Sequence, residues 1–123
     1  MYVIKNKVQL WGYLVDDPEI RQLENGVKKV LITLATNEIA TNYSGEDVTE
    51  TQWHQLVGWE DVAALSVEHL KKGSVVAVNG KLQSRNFTDN YGLRRFVTEV
   101  VIKDIKLIVD DTVIKIKDKR KLR

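Results

Sequence analysis

The chain has 123 residues, of which 43% are hydrophobic and 29% charged, so it can bury one compact core and is unlike disordered chains. It contains no cysteine, which excludes disulfides, thiolate nucleophiles and cysteine-bound zinc or iron–sulfur clusters. No apolar run approaches the ~20 residues of a membrane span, no signal-peptide pattern follows Met1, and the net charge is only +2, so we expect a soluble cytoplasmic protein whose charge distribution matters more than its sum.

The first half of the chain has strand patterns separated by turn signals. Alternating apolar residues predict a first strand over residues 8–15, and Asp16, Asp17 and Pro18 end it. A short segment over residues 19–23 meets Asn25-Gly26, a strong hairpin signal, and a β-branched strand follows over residues 28–36. Residues 37–50 are polar and without period, which predicts a long loop before a third strand over residues 51–59.

The second half begins with a helix signal. Acidic Glu60 and Asp61 suit a helix start, and Lys71 and Lys72 suit its end, with Gly73 as the cap. Residues 74–87 and 93–101, joined by a turn over residues 88–92, predict a long hairpin, which residues 105–109 extend.

The order of these elements predicts the fold. Three strands, one helix and two strands, without strand–helix alternation, is the order of an all-β, five-stranded OB-fold barrel with its helix between the third and fourth strands and a long hairpin between the fourth and fifth. We expect residues 1–109 to form this domain and residues 110–123 to form a partly ordered, basic C-terminal tail.

Positive charge is concentrated in two segments. Residues 71–95 hold six cations against Asp89 alone, and residues 111–123 hold six basic and two acidic side chains. A polyanion is expected to bind at the first of these segments.

The sequence offers no catalytic motif. Walker loops, dinucleotide fingerprints, zinc-protease motifs and serine elbows are absent, and His54 and His69, the two histidines, belong to different predicted elements. Paired acids lie at element ends, where capping and turn formation explain them. We therefore predict no enzymatic activity, no metal site and no cofactor.

Binding is better supported by the pattern. Lys81, Gln83, Arg85 and Phe87 alternate on one face of the fourth strand, which places cations beside an aromatic ring. Single-stranded nucleic acids require such groups, because they expose both phosphates and unstacked bases. A solvated strand with one exposed phenylalanine is the alternative interpretation.

Two pairs of aromatic residues are ambiguous when taken alone. Trp53 and Trp59 share a face of the third strand, and burial in the core is the simpler explanation of that spacing. Trp11 and Tyr13 lie opposite the apolar residues of the first strand, so we expect them to face a ligand or, preferably, another subunit.

Six ordered blocks of sequence together resemble the bacterial single-stranded DNA-binding protein family, over about residues 4–109. They are NKVQLWGYLVDDPEIR (6–21), ENGVKKVLITLAT (24–36), TQWH (51–54), HLKKGS (69–74), VNGKLQSRNFTD (78–89) and TEVV (98–101). The resemblance implies an OB fold, a homotetramer, and single-stranded DNA wrapped over aromatic platforms and basic side chains. It implies no enzymatic step and no metal.

The resemblance also assigns roles to individual positions. Trp53, Trp59 and Phe87 match stacking positions, Arg21, Lys72 and Arg85 match basic positions, and His54 matches a subunit-contact position. Together with the residue patterns, this predicts a nucleic-acid-binding set of Trp53, Trp59, Phe87, Lys72, Lys81, Arg85, Arg21, Arg94 and Tyr43, and a subunit interface of His54, Trp11 and Tyr13.

Two departures of the sequence from the family pattern bear on stacking and on the recruitment of other proteins. Ala40 stands where a further stacking tryptophan is frequent, with Tyr43 as its potential substitute. The family usually ends in an acidic tip that recruits replication and repair proteins, whereas residues 114–123 read IKIKDKRKLR. We therefore do not expect recruitment through such a tip, and we expect the basic tail to add phosphate contacts.

The sequence thus predicts non-catalytic, largely sequence-independent binding and protection of single-stranded DNA in replication, recombination and repair. Two alternatives remain at this point: an OB-fold protein-interaction module of the primosome type that contacts DNA secondarily, and an enzyme such as a nuclease.

Overall fold

The computed structural model describes residues 5–116, which form seven strands and one helix. The elements are β1 (Val8–Leu14), β2 (Glu19–Gln22), β3 (Lys28–Thr41), β4 (Asp47–Trp59), α1 (Asp61–His69), β5 (Val75–Thr88), β6 (Arg94–Val109) and β7 (Thr112–Lys115). Among these residues, no helix has the length and apolarity needed to cross a membrane.

Five of the strands close into a barrel. The sheet runs β1-β5-β6-β4-β3, and β1 also pairs with β3 at Tyr13 and Leu14, which closes the circle. All these pairings are antiparallel except β4 with β6, which are parallel at Leu56 and Val57. Because α1 lies between β4 and β5, the third and fourth barrel strands, the predicted OB-fold barrel is confirmed.

The barrel interior is filled by side chains that alternate with outward-facing ones. The core cluster of buried apolar side chains includes Leu14, Val30, Ile32, Leu34, Leu56, Val76 and Val78. Closure at β1 depends on Gly12, because a Cβ atom there would lie 2.2 Å from the carbonyl oxygen of Ala35. The core therefore fixes which residues of each strand face outward.

Two long hairpin arms extend the barrel strands. The prediction of a loop over residues 37–50 was wrong: residues 37–41 of β3 pair with residues 47–51 of β4, and only residues 42–46 form the turn. The strands continue because Asn42 closes a tight turn, in which its Oδ1 accepts hydrogen bonds from the backbone N–H groups of Ser44 and Glu46. The second arm is the predicted hairpin of β5 and β6.

The helix ends earlier than its sequence pattern suggested. Leu70, the residue after α1, has extended backbone, so Lys71 and Lys72 lie outside the helix. The prediction that Gly73 caps α1 is wrong, because the C-cap is Leu70. The φ of +89° at Gly73 serves the following turn instead, where the Ser74 N–H donates to the Lys71 carbonyl oxygen.

The chain continues in regular structure beyond residue 109, where the predicted domain ended. Asp110 and Asp111 turn the chain with φ of 50° and 61°, and β7 then pairs with residues 106–109 of β6. Ile116 is only 7% exposed and packs into the core cluster. The remaining tail positions, 117–123, lie outside the described residues.

Candidate nucleic-acid interface

Trp53 and Trp59 lie on the outer side of β4. Their register partners on β3 are Ala35 and Lys29, and they alternate with Leu56, which fills the core. Trp53 is 66% exposed and Trp59 is 37% exposed. The interpretation that these tryptophans belong to the core is therefore wrong, and both offer ring surface to a ligand.

A row of cations crosses β2 and β3 beside Trp59. Lys29 Nζ lies 5.3 Å from the centre of the Trp59 ring, and Arg21 is the partner of Lys29 on β2. The Arg21 guanidinium also pairs with Glu19 at 3.0 Å. Sequence reasoning missed Lys29, although its alternation with the apolar residues of the same strand indicates an outward position.

A second row follows β5. Lys81, Gln83, Arg85 and Phe87 alternate on one face, as predicted, and the Arg85 guanidinium carbon lies 5.4 Å from the centre of the Phe87 ring. Arg85 Nε donates a hydrogen bond to Glu99 Oε1 at 3.0 Å. Glu99 is only 5% exposed, so a buried carboxylate holds this guanidinium beside the ring.

Sequence reasoning did not identify Glu99. This residue lies outside the basic segment over residues 71–95, and it reaches the β5 row because the hairpin register places it opposite Gln83. The contact could be predicted only by aligning the two hairpin strands about their turn, which places Glu99 opposite Gln83.

The two rows lie on the same outer side of the barrel. Val57 of β4 pairs with Val101 of β6, which in turn pairs with Lys81 of β5. Register partners project from the same side of a sheet, so the tryptophans and the β5 row share one surface. We call this surface the aromatic face; it comprises Arg21, Lys29, Trp53, Trp59, Lys81, Arg85 and Phe87.

Three predicted binding residues lie elsewhere. Arg94 occupies the opposite face of the β5–β6 arm, because its neighbour Arg95 is the partner of Phe87. Lys72 lies in the turn after α1, where its backbone N–H donates to Asp17 Oδ1 at 2.7 Å. Tyr43 lies in the turn of the β3–β4 arm and is fully exposed.

The predicted interface residues fall into two places. Trp11 and Tyr13 project from the outer side of β1, opposite Ala77 and Val75, and Trp11 is 53% exposed. His54 lies on the other side of β4 from Trp53, and its Nε2 shares a 2.9 Å hydrogen bond with the Thr36 hydroxyl.

The tip of the β5–β6 arm is organised by one carboxylate. Asp89 Oδ1 accepts hydrogen bonds from the backbone N–H groups of Tyr91 and Leu93, and Oδ2 accepts one from Arg95 Nε at 2.8 Å. The Arg95 guanidinium, followed by these backbone donors, lowers the pKa of Asp89 below its ordinary value.

The chemistry of the aromatic face is that of stacking and charge pairing. Exposed rings provide π surfaces for bases, and guanidinium and ammonium groups pair with phosphates. Within residues 5–116, no group of three or more histidine or acidic side chains is arranged to hold a metal ion.

Comparison with known proteins gives a consistent result. The model of the Single-strand binding protein family matches residues 5–108. A protein of Chlorobaculum tepidum named single-stranded DNA-binding protein 1 is 39% identical over 104 residues, which are 84% of this chain and 64% of that protein. A protein of the same name from Xylella fastidiosa is 38% identical over 104 residues, 84% of this chain and 76% of its own length. The chain therefore spans less than two thirds of the first relative.

A solved structure extends the similarity to three dimensions. The structure described as Plasmodium falciparum SSB complex with ssDNA superposes with a TM-score of 0.78 at 28% sequence identity, and the alignment covers 89% of this chain and 99% of that one. The family match covers more than half of the chain, and the barrel with its single helix agrees with the fold of the structural neighbour. This chain belongs to the single-strand binding protein family.

Proposed function

We propose that this protein binds single-stranded DNA on the aromatic face, without catalysis and largely without sequence preference, and so protects exposed single strands during replication, recombination and repair. The observation that carries this proposal is the exposed ring of Trp53 on the same surface as Trp59 and the Arg85–Phe87 pair. A tryptophan left two-thirds exposed contributes little to folding, so its place on this surface is best explained by a ligand.

The arrangement favours binding without base readout. Every base has a π face, so stacking tolerates any sequence, and phosphate contacts carry no sequence information. The names of the two bacterial relatives and the single-stranded DNA bound in the Plasmodium falciparum structure support the same ligand class.

Assembly into a homotetramer is part of the proposal. Trp11, Tyr13 and Val75 make an exposed apolar strip on neighbouring strands, which is the kind of surface that a second copy covers. His54, which lies on the other side of β4 from Trp53, is proposed to make a second subunit contact, separate from this strip. We place the assembled protein in the cytoplasm, we assign its basic tail to phosphate contact, and we keep replication and repair proteins as candidate partners.

The test is a titration with oligo-dT that follows tryptophan fluorescence. We expect strong, saturable quenching with single strands and little with a duplex of equal length, because duplex bases are already stacked. The absence of quenching would contradict the proposal and favour a protein-interaction module, and cleavage of the strand would favour an enzyme.

A further inference from the structure

A second charged surface lies at one end of the aromatic face. An open cleft of about 970 Å³ is formed between the start of β1, the middle of β5 and the middle of β6. Four lysines line it: Lys5, Lys7, Lys81 and Lys103. We call it the lysine cleft. Its acidic lining residue, Asp104, lies 3.6 Å from the Lys106 ammonium, which offsets its charge.

A β-bulge builds this cleft. Asn79 pairs with Asp104 and Gly80 pairs with Ile102, so Lys103 is the extra residue of β6 without a partner on β5. A bulge redirects the side chain of the residue it inserts. Gly80 permits the close approach of the strands here, because a Cβ atom would lie 2.3 Å from the Val101 carbonyl oxygen.

The N-terminal wall is held in place by one side chain. Asn6 accepts a hydrogen bond from the Leu82 N–H at 2.7 Å and donates one to the Leu82 carbonyl oxygen at 2.9 Å, so it pairs with β5 as a strand residue would. These two hydrogen bonds keep Lys5 and Lys7 beside the cleft, although β1 begins only at Val8.

The cleft is continuous with the aromatic face through Lys81, which belongs to both. Lys81 ends the β5 row, six residues and therefore about 20 Å from Phe87. Within residues 5–116, none of the four cleft lysines has a carboxylate within salt-bridge distance, whereas Arg21 and Arg85 do. The charges of the four cleft lysines are therefore fully available to an anion.

Building on the proposed function, we propose that the lysine cleft is a second phosphate-binding segment, which takes the backbone of the same DNA strand after it leaves the aromatic face at Lys81. The cleft contributes phosphate contacts without stacking, because no aromatic side chain among residues 5–116 lines it. Its contribution therefore depends on strand length and on salt.

The experiment compares the wild type with Lys5→Gln/Lys103→Gln, whose substituted residues lie outside the aromatic face. Oligo-dT of about 6 and about 16 nucleotides, near the limits of what one OB fold covers, is titrated from low to physiological salt. Removing one phosphate interaction with a single strand flattens the log–log salt slope by about 0.7, so we expect a decrease of up to about 1.4 on the long oligonucleotide and none on the short one. Lys28→Gln, which removes one positive charge from the face of β3 opposite Lys29, is the control for a loss of charge elsewhere and should leave both slopes unchanged.

The other outcomes contradict the proposal that the lysine cleft binds the DNA strand. Equal slopes for the double variant and the wild type on the long strand would overturn it, as would an equal decrease on both strands. Tripolyphosphate that binds to the wild type without competing with long oligo-dT would assign the cleft to a free anion. If the wild type shows no quenching with either strand, the proposed function itself fails, and this result is distinct from the others. Circular dichroism of each variant checks that the fold is retained.

Discussion

Trp53→Ala tests the aromatic face most directly, because Trp53 is the most exposed of its three rings. A tryptophan buries up to about 250 Å² in a core, and only about a third of the Trp53 surface is hidden here. At about 25 cal/mol per Å², its removal costs at most about 2 kcal/mol of unfolding free energy. The free energy of unfolding of a small domain is usually about 5–15 kcal/mol, so the variant should remain folded.

The expected decrease in affinity follows from stacking. One base–aromatic contact contributes about 1–3 kcal/mol, which corresponds to a roughly 5- to 150-fold weaker Kd for oligo-dT. Because the substitution removes a fluorophore, affinity is measured by anisotropy of a labelled oligonucleotide, and urea denaturation of the same sample reports stability. Trp59→Ala is a poorer probe, since about two thirds of that ring is hidden and its removal costs about 4 kcal/mol.

The matched control is Phe96→Ala. Phe96 is 75% exposed on the β5–β6 arm, but it lies on the opposite face of β6 from Arg95, the partner of Phe87. We expect its affinity to stay within about twofold of the wild type, below the smallest decrease expected from stacking. A folded Trp53→Ala variant that binds with wild-type affinity, or a Trp53→Ala variant that is unfolded, would refute the assignment of Trp53 as a platform.

Three further predictions concern other parts of the molecule. Trp11→Glu places a charge on the exposed apolar strip of β1 and should lower the mass found by sedimentation equilibrium to that of a smaller assembly; a wild type that is already monomeric would contradict the interface. Because the Arg95 guanidinium depresses the pKa of Asp89 in the folded protein, the stability that Asp89 contributes is present at pH values above its ordinary pKa of 3.8 and is lost as the pH falls through the depressed pKa; thermal melts of Asp89→Asn should lack this decrease on the acid side. Deletion of residues 117–123 should flatten the salt slope on oligo-dT by about 0.7 for each phosphate interaction that the tail makes, and parallel slopes would show that the tail does not touch DNA. A longer deletion from Thr112 would also remove β7 and the buried Ile116, so it would measure stability as well.

The barrel could be predicted because each of its strands carries its own alternation of core and surface residues. The prediction of a loop over residues 37–50 was wrong for a physical reason. Both faces of the β3–β4 arm are exposed, so its strands show no alternation of apolar and polar residues. The turn over residues 42–46 does have a sequence signal. Asn42 and Gly45 have the same spacing as Asp89 and Gly92, and in both turns the first side chain accepts backbone N–H groups while the glycine takes positive φ. The second turn was recognised because strong strand patterns flank it.

The sequence predicted which side chains share a face of a strand, but it did not predict which side chains contact each other across two strands. Alternation on β5 placed Arg85 beside Phe87, which the structure shows. It could not reveal that Glu99 binds Arg85, because that contact depends on the hairpin register across 14 residues of sequence. Nor could it show which of the neighbours Arg94 and Arg95 shares the face of Phe87, since a one-residue change of register exchanges the faces.

The pairing of these cations has a consequence for how binding energy is distributed over the surface. On the aromatic face, the guanidinium groups of Arg21 and Arg85 each lie 3.0 Å from a carboxylate, which orients them but offsets much of their attraction for phosphate. Binding to the aromatic face alone should therefore depend on stacking more than on charge, with a shallow salt dependence. Lys29 and Lys81 are the cations of this face that have no carboxylate within salt-bridge distance among residues 5–116, and the other cleft lysines, Lys5, Lys7 and Lys103, lie outside the face. Steep salt dependence should consequently appear only with strands long enough to pass beyond Lys81.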